Sequence, residues 1–320
     1  MSWFVTRVST MQMNQFNRLN VSRLTQELQV AGQEVATGRK ADVYADLGAR
    51  ATSSLKLRTR EAETQSYLTS NGVLEHKLDA MLVSIDAVRT QAQSVLDVAL
   101  ANAAAPSSGA EVLQMQATAA IESIMAALNT SYQGDHFFAG TQSENPPLTR
   151  WGETNPDTGL SPSDVMGDIV TGPPSDLTAA QGMIASITDV FDSANTDPAR
   201  NYEGTFFSGT PLLDGTGQAS TRVTSHISPG QAHPTGVQAN DTPFREILKG
   251  LAMLATTDVS DIADTEAYQA WMEEASASLS RGLSGALDVS AAVGFSQQVV
   301  ETASDRLTDV SMVQQRLIGE

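Results

Sequence analysis

The stretch LEHKLDAMLVSIDAVRTQAQSVLDVA, residues 74–99, decides how the rest of the chain reads. Its residues Leu74, Leu78, Met81, Ile85, Val88, Ala92, Val95 and Ala99 recur at spacings of 4, 3, 4, 3, 4, 3 and 4. That period predicts one apolar seam along a long helix and not the two-residue alternation of a strand. Tyr67 and Asn71 carry the register backward, and no Pro lies between Met1 and Ala105 to interrupt it.

Working outward, a short break at Ala105-Pro106-Ser107-Ser108-Gly109 precedes Ser108-Gly109-Ala110-Glu111, which reads as a capping box opening a second helix. The stripe of that helix is Leu113, Ala117, Ile121, Ile124 and Leu128, and the short connection predicts an antiparallel hairpin. On the N-terminal side, Val21, Leu24, Leu28, Ala31 and Val35 form another seam, ending near Gly38, a residue suited to a helix C-terminus. Leu24, Leu28 and Val35 need a partner surface.

Near the other end, Tyr268, Trp271, Ala275, Leu279, Gly282, Ala286, Val289, Val293, Ser296, Val300, Ala303, Leu307, Val310, Gln314 and Leu317 keep the same interleaved spacing. This predicts a helix of about 75 Å at 1.5 Å per residue. Its small residues allow close helix approach while supplying less burial than Leu would. Before it, Thr242 and Pro243 suit the N-cap and first position of a helix whose face is Phe244, Ile247, Leu248, Leu251 and Leu254.

Between about Tyr132 and Asp241 the helical stripe is mostly lost, and ten of the 12 Pro lie between Pro146 and Pro234. Short β-prone runs stand at His136-Phe137-Phe138, Gly204-Thr205-Phe206-Phe207 and Arg222 to Ile227, with one helix expected from a capping box at Thr178-Ala179-Ala180-Gln181. Two segments echo one another: Phe137-Phe138-Ala139-Gly140-Thr141 followed by Pro147-Leu148, and Phe206-Phe207-Ser208-Gly209-Thr210 followed by Pro211-Leu212. Each reads as a strand entering a Gly-containing turn.

The predicted class is therefore α+β: a long-helix coiled-coil bundle built from N- and C-terminal segments, with an inserted mixed domain containing β structure. The expected division is 1–45 as an N-terminal assembly helix, 46–131 plus 242–320 as a discontinuous helical bundle, and 132–241 as the insertion. Bundling the flanking helices is the simplest way to bury both sets of seams.

Composition excludes several function classes. A net charge of -18 has the wrong sign for a phosphate backbone or an anionic lipid surface, and no apolar run reaches the length that spans a bilayer, so neither nucleic-acid binding nor membrane insertion is expected. With no Cys, disulfides, thiolate metal sites and cysteine nucleophiles are ruled out. Met1 to Val8 lacks the basic segment and apolar core of a Sec-type signal, so the protein either stays inside or leaves by a route that removes nothing.

No catalytic, cofactor or metal site is read from the residues. His76, His136, His226 and His233 are scattered, with none at i, i+4 from another. Carboxylate pairs such as Glu273-Glu274 or Asp258 with Asp261 fall on apparently solvated faces and loops. Asp214-Gly215-Thr216-Gly217-Gln218 lacks the strand, third glycine and helix of a dinucleotide fingerprint and reads as a turn. Arg39-Lys40 and Arg58-Thr59-Arg60 are small basic islands suited to salt bridges. What remains as function is surface: seams that find partners in other chains, generating a helical tube where the contact is heterologous and does not close. The seam residues singled out for assembly are Leu24, Leu28, Val35, Leu74, Leu78, Ile85, Val88, Leu279, Val289, Val293, Val300 and Leu307. A reading from another class, a secreted carbohydrate-active or carbohydrate-binding module in 132–241, would require convergent carboxylates, and Asp135, Glu144, Glu153, Asp164 and Asp168 show no useful spacing for one.

The order of these parts resembles the flagellin superfamily and, within it, hook-associated proteins of the FlgL type that form the hook–filament junction. Leu24-Thr25-Gln26-Glu27-Leu28 running into Glu34-Val35-Ala36-Thr37-Gly38-Arg39-Lys40 is similar to the family's Q-x-x-x-S-T-G-K/R-R stretch. The long coiled-coil hairpin follows. Tyr132 to Thr141 is similar to the family's G-x-Y-x-F-A-G-T element, and Val237 to Phe244 leads into the returning helices. The resemblance covers roughly 14–141 and 237–317, and the middle matches in position alone.

The resemblance implies a non-enzymatic subunit of the bacterial flagellum, exported unfolded through the type III channel and lying outside the cell in a ring-like layer. The partners it implies are neighbouring copies, a hook-side junction protein, filament flagellin and an export chaperone, with no cofactor. A filament flagellin is the alternative within the same class. The family's long C-terminal helix is followed by a further Leu-rich helix that pairs with the N-terminal one. This sequence stops at Leu317-Ile318-Gly319-Glu320, so truncation is the expectation. Lys40 to Gly48 also departs from the family's S-P-S-D-D-P-A segment.

Overall fold

The computed structural model describes residues 10–38, 41, 51–105 and 110–319. Seven α-helices are defined among them: α1 (Thr10–Thr37), α2 (Ala51–Ala101), α3 (Ala110–Leu128), α4 (Pro162–Ile169), α5 (Leu177–Phe191), α6 (Thr242–Thr256) and α7 (Thr265–Gly319). Beside them stand two small antiparallel hairpins, β1 (Ser131–Tyr132) with β2 (Asp135–His136) and β3 (Thr224–Ser228) with β4 (Gln231–Pro234), and short helical turns at Pro198–Arg200, Tyr202–Phe206 and Val259–Asp261. The second carries an irregularity in register between His226 and Ser228. The capping box at Ser108 and the loop around it lie outside the described residues, as do Arg39, Lys40 and most of the 40–48 segment. Contacts divide the chain into two units, residues 64–309 and residues 1–63 with 310–320.

In the larger unit the long helices of the two chain halves pack together, antiparallel, as the seams require. Asn71 Nδ2 on α2 donates to Ser304 Oγ on α7 at 3.3 Å, Gln297 pairs with Asp79, and Tyr268 Oη donates to Asn102 O at 2.6 Å. As the α2 number rises the α7 number falls. Leu78, Met81, Ile85, Val88, Ala92, Val95 and Ala99 are all buried, and so is the α3 stripe of Leu113, Ala117, Ile121, Ile124 and Leu128. Burial of each large aliphatic side chain contributes about 1.5–3 kcal/mol, so the seam supplies much of what holds the helices together. α3 returns beside α2, with Ser84 Oγ 3.5 Å from Thr130 Oγ1, and packs chiefly on α6.

The small residues in α7 allow the approach they predict. A Cβ on Gly282 would fall 2.6 Å from Ile247 Cγ1 and 2.8 Å from Pro243 O, so α6 passes over α7 where nothing larger than hydrogen fits.

The middle of the chain corrects several local readings. Gly204 to Phe207 is not a strand: Tyr202–Phe206 is a wide π-helical turn, closed by Phe207 N–H donating to Tyr202 O at 2.8 Å. Residues four apart in a strand lie about 13 Å apart. The turn instead stacks Tyr202 on Phe206 with centroids 5.5 Å apart and brings both against Phe191 at 5.6 and 5.3 Å. Aromatic packing outweighs β propensity here. The cap of α5 is Asp176, whose Oδ1 accepts from Ala179 N at 2.9 Å, and not Thr178. α6 likewise has Asp241 at its N-cap in place of Thr242, with Pro243 in the first turn. Helix α4 was not expected. Its signal is Ser161-Pro162-Ser163-Asp164, a capping box in which Asp164 N donates to Ser161 Oγ at 3.1 Å and Ser161 N to Asp164 Oδ2 at 2.9 Å.

The echoed segments meet in space. Thr210 N donates to Ala139 O at 2.9 Å, Thr141 N donates to Thr210 Oγ1 at 2.8 Å, and Leu148 bridges Phe207 in antiparallel fashion. Gly140 holds the crossing, with φ +72° and the Gln238 Nε2 atom 2.2 Å from where a Cβ would lie. Asn129 then ties the crossing to the end of α3: its Nδ2 donates to Leu148 O at 2.7 Å and its Oδ1 accepts from Leu148 N at 2.8 Å.

Candidate assembly surfaces

The seam residues fall into two groups. Leu78, Ile85, Val88, Leu279, Val293, Val300 and Leu307 are buried, and Leu74 and Val289 are partly buried against the same core. These nine spend their apolar surface inside the chain. On α1 the opposite holds: Leu24, Leu28 and Val35 are 59%, 73% and 86% exposed. Met13, Phe16, Leu19 and Val21 on the same helix are also exposed.

What holds α1 helical is local. Arg23 Nε reaches Glu27 Oε1 at 3.1 Å one turn on, a surface pair that contributes no more than a few tenths of a kcal/mol. Gly38 N–H returns to Glu34 O at 2.8 Å and ends the helix. A 28-residue helix whose large apolar residues face water is stable only marginally on its own, because most helical stability in proteins comes from packing of the apolar face. In the same unit, Leu55, Val310, Met312, Val313 and Leu317 are exposed as well, while Gln315 Nε2 on α7 donates to Glu61 Oε1 on α2 at 3.2 Å.

The residues considered for chemistry are taken up locally. His136 Nδ1 lies 2.8 Å from Asn129 O and His233 Nε2 3.1 Å from Ser296 Oγ, while His76 and His226 are exposed on separate elements. Asp258 Oδ1 accepts from Ser260 N at 2.9 Å, and Asp168 pairs with Arg200 at 2.7 Å. The carboxyls of Asp164 and Asp214 are held below the usual Asp range by hydroxyls first, Ser161 and Thr216 respectively, and by backbone N–H groups after them; for Asp176 the Ala179 N–H comes first. Asp214 to Gln218 is the turn expected. Arg58 and Arg60 are exposed on α2.

The densest charge cluster lies between α6 and α7. Buried Lys249 places Nζ 2.9 Å from Glu274 Oε1, and Arg281 Nη2 bridges Glu274 at 2.9 Å and Glu246 at 3.1 Å. Partial burial raises the Glu274 carboxyl, but Lys249 and then Arg281 outweigh it and hold the group below its ordinary value. Burial pushes the Tyr202 phenol well above its ordinary value, and its hydroxyl donates to Ala239 O at 2.9 Å. Both clusters fasten elements of the chain to one another. No group of three or more His, Asp or Glu is gathered for a metal ion among the described residues.

The exposed helical face of α1 and the antiparallel bundle of the larger unit both have counterparts among known proteins. Residues 8–143 match the bacterial flagellin N-terminal helical region, which spans α1, α2, α3 and the first hairpin. Over those residues the chain is similar to the flagellin N-terminal region. Among solved structures, one assigned as a flagellar hook-associated protein from Vibrio parahaemolyticus aligns with a TM-score of 0.56 at 11% identity, covering 86% of this chain and 99% of that one. FlgL from Bacillus cereus aligns with a TM-score of 0.46 at 12% identity, covering 83% and 98%. No curated protein sequence matches. The first alignment shows a shared fold across nearly all of the neighbour. The matched residues 8–143 hold both kinds of seam, the exposed one of α1 and the buried one of α2. No helix among the described residues is long and apolar enough to cross a membrane.

The groove between α2 and the β1–β2 hairpin was not signalled by any motif. It encloses about 630 Å³ and is lined by residues that include Val73, Lys77, Tyr132 and Phe137.

Proposed function

We propose that the chain is a non-enzymatic subunit of the bacterial flagellum that joins hook to filament, assembling through its helices after type III export without a cleaved signal. The single observation that carries this reading is the exposed α1 seam, Leu24, Leu28 and Val35, on a flagellin-type helical region whose other seams are internally closed. An apolar helix face that is repeated, narrow and uncovered is suited to burial against other helices. The fold shared with the hook-associated protein of V. parahaemolyticus supports the junction role over other places in the flagellum. The partners are neighbouring copies, a hook-side junction protein and the first filament subunits, with a chaperone covering the apolar face before export. The same reading places 1–45 as the assembly helix, 46–131 with 242–320 as the bundle, and 132–241 as the insertion carried outward.

A filament flagellin is the second reading, favoured by the match of residues 8–143, which is named for flagellins themselves. Deletion of the gene in its host, scored by electron microscopy, separates the two. A junction subunit predicts hooks that persist while filaments detach into the medium. A flagellin predicts hooks with no filament protein in the medium, and intact filaments on the deletion strain would end both readings.

A further inference from the structure

A second pair of surfaces in the larger unit is left open, and the two fit one another. On α7, Leu287 and Phe295 are 53% and 61% exposed, and Ser284, Ala291 and Gln298 share their face. Positions 284, 287, 291, 295 and 298 recur at 3, 4, 4 and 3, so they form one ridge, about 21 Å long from first to last at 1.5 Å per residue, with Leu287 to Phe295 taking up about 12 Å of it. The ring of Phe295 lies 6.2 Å from that of His233 on β4. The only charge on the ridge is Asp288, exposed and without an ion-pair partner among the described residues.

The complementary surface is the groove along α2. Its floor runs from Ser66 to Lys77, about 16 Å, long enough for the Leu287–Phe295 part of the ridge. Val73 and Tyr132 are 49% and 46% exposed on its walls. Lys77 stands in it with Nζ 5.7 Å from the centroid of the Phe137 ring and no carboxylate paired with it among the described residues. The groove's acid, Asp135, is occupied by Ser143 Oγ at 2.9 Å. The groove thus holds one base with no carboxylate partner among the described residues, and the ridge one acid with no basic partner among them.

A single copy cannot join them. Within the chain, the α7 residue beside the groove's stretch of α2 is Ser304, which contacts both Asn71 and Glu75. The centre of the ridge, Ala291, is 13 positions away along α7, about 20 Å. The occupant must come from elsewhere, and in a chain of net charge -18 a ridge with a single charge is the kind of surface that another copy can approach without strong repulsion.

We propose that the Leu287–Phe295 ridge of one copy seats in the α2/β1–β2 groove of a second copy, with Asp288 of the first meeting Lys77 of the second. The contact joins unlike faces, so each copy keeps a free groove or ridge for the next, and repetition gives a ring or a helix according to the angle between neighbours. The inference rests on the assembly reading above and adds to it a lateral contact independent of α1.

The test uses the full chain. Its lack of Cys lets Val73→Cys and Phe295→Cys be introduced singly and the two preparations mixed with a short bismaleimide. A crosslinked dimer in the mixture but in neither preparation alone is expected. Sedimentation of Lys77→Glu and Asp288→Lys should show self-association weakened at least five-fold in each, with recovery when both reversals are in one chain. Neither site is buried, so folding is checked simply by an unchanged helical spectrum. Absence of self-association at millimolar protein, failure of the mixed crosslink, or no recovery in the double variant overturns the proposal. Association that survives both charge reversals and vanishes on deletion of residues 10–37 overturns this contact and leaves the assembly reading standing.

Discussion

The seam of α1 and the seam shared by α2 and α7 are written in the same 3/4 spacing, yet one is exposed to water and the other is closed over most of its length within the larger unit. Ile85 and Val300 have no exposure at all, whereas Val35 keeps most of its surface. The difference teaches that periodicity reports the need for a partner and says nothing of whose chain supplies it. A seam whose partner lies elsewhere in the same molecule is a folding element. One whose partner is absent is an assembly element held in reserve, helical but poorly fixed until covered.

The strongest way to break this contrast is to empty the closed seam. Ile85→Ala removes a fully buried side chain from the α2 face and should cost about 2–5 kcal/mol, read as a lower midpoint in reversible denaturant unfolding. A loss under about 1 kcal/mol would mean that the closed seam is not what holds the larger unit together. Next in size is Gly140→Ala at the crossing of the two echoed segments. A side chain there meets Gln238 and Thr210 and must also adopt a positive φ, so roughly 1–2 kcal/mol of backbone strain adds to about 1–3 kcal/mol of overpacking. Because the crossing lies away from either seam, this variant should lower stability while leaving the order of the comparison intact.

How much of this was readable beforehand follows from what each signal measures. The stripes of α2, α3 and α7 were legible because a one-sided buried helix has no other way to place its apolar residues. The echo of Phe137 and Phe206 was visible, but its consequence, two segments hydrogen-bonded side by side, depends on pairing 69 residues apart that no local pattern encodes. The π-helical turn at Tyr202 was hidden for the opposite reason: the β-prone run Thr205-Phe206-Phe207 favours a strand locally, and only the stacking partner Phe191 decides otherwise. Asp176 displaced the expected Thr cap by two residues because Asp competes equally well for the same N–H groups, whereas Asp241 stands one residue before Thr242 with its carboxylate turned to Gln238 N and Arg222. Within the candidate surfaces, the α1 seam was named in advance. The groove at Val73 and Tyr132 was not, since it arises between a helix and a hairpin. The ridge at Leu287, Ala291 and Phe295 could have been found as a second stripe offset from the α7 seam.

A smaller effect sharpens the comparison from the side of charge. Glu274→Gln removes the partner that Lys249 and Arg281 share and should destabilise by about 1–3 kcal/mol at neutral pH, most of it from leaving buried Lys249 with only the more distant Glu246. The wild-type contribution has a sign fixed by the depressed carboxyl. Because folding lowers the Glu274 value, the stabilisation is fully present above the unfolded value near 4.5 and is lost as pH falls through the lower folded value. Unfolding midpoints of wild type and variant should therefore converge on acidification below about pH 4.5, and parallel curves down to pH 2.5 would sink the assignment.

The smallest expected change in stability belongs to the residue with the largest expected consequence for assembly. Leu28 on α1 is exposed, so Leu28→Ser removes no buried contact, and the unfolding midpoint of the isolated chain should move by less than about 0.5 kcal/mol. The same change places a hydroxyl in the middle of the open seam. If that seam is covered by other subunits, motility and filament retention in a complemented deletion strain should fall sharply while secreted protein levels stay normal. Ile85→Ala should do the reverse, reducing the folded population in proportion to its stability loss and sparing assembly by whatever fraction folds. A Leu28→Ser chain that unfolds early would mean that α1 is covered within the monomer after all. One that assembles normally would mean that the exposed face is not the joining surface, and the division between a seam for folding and a seam for assembly would then fail on its open side.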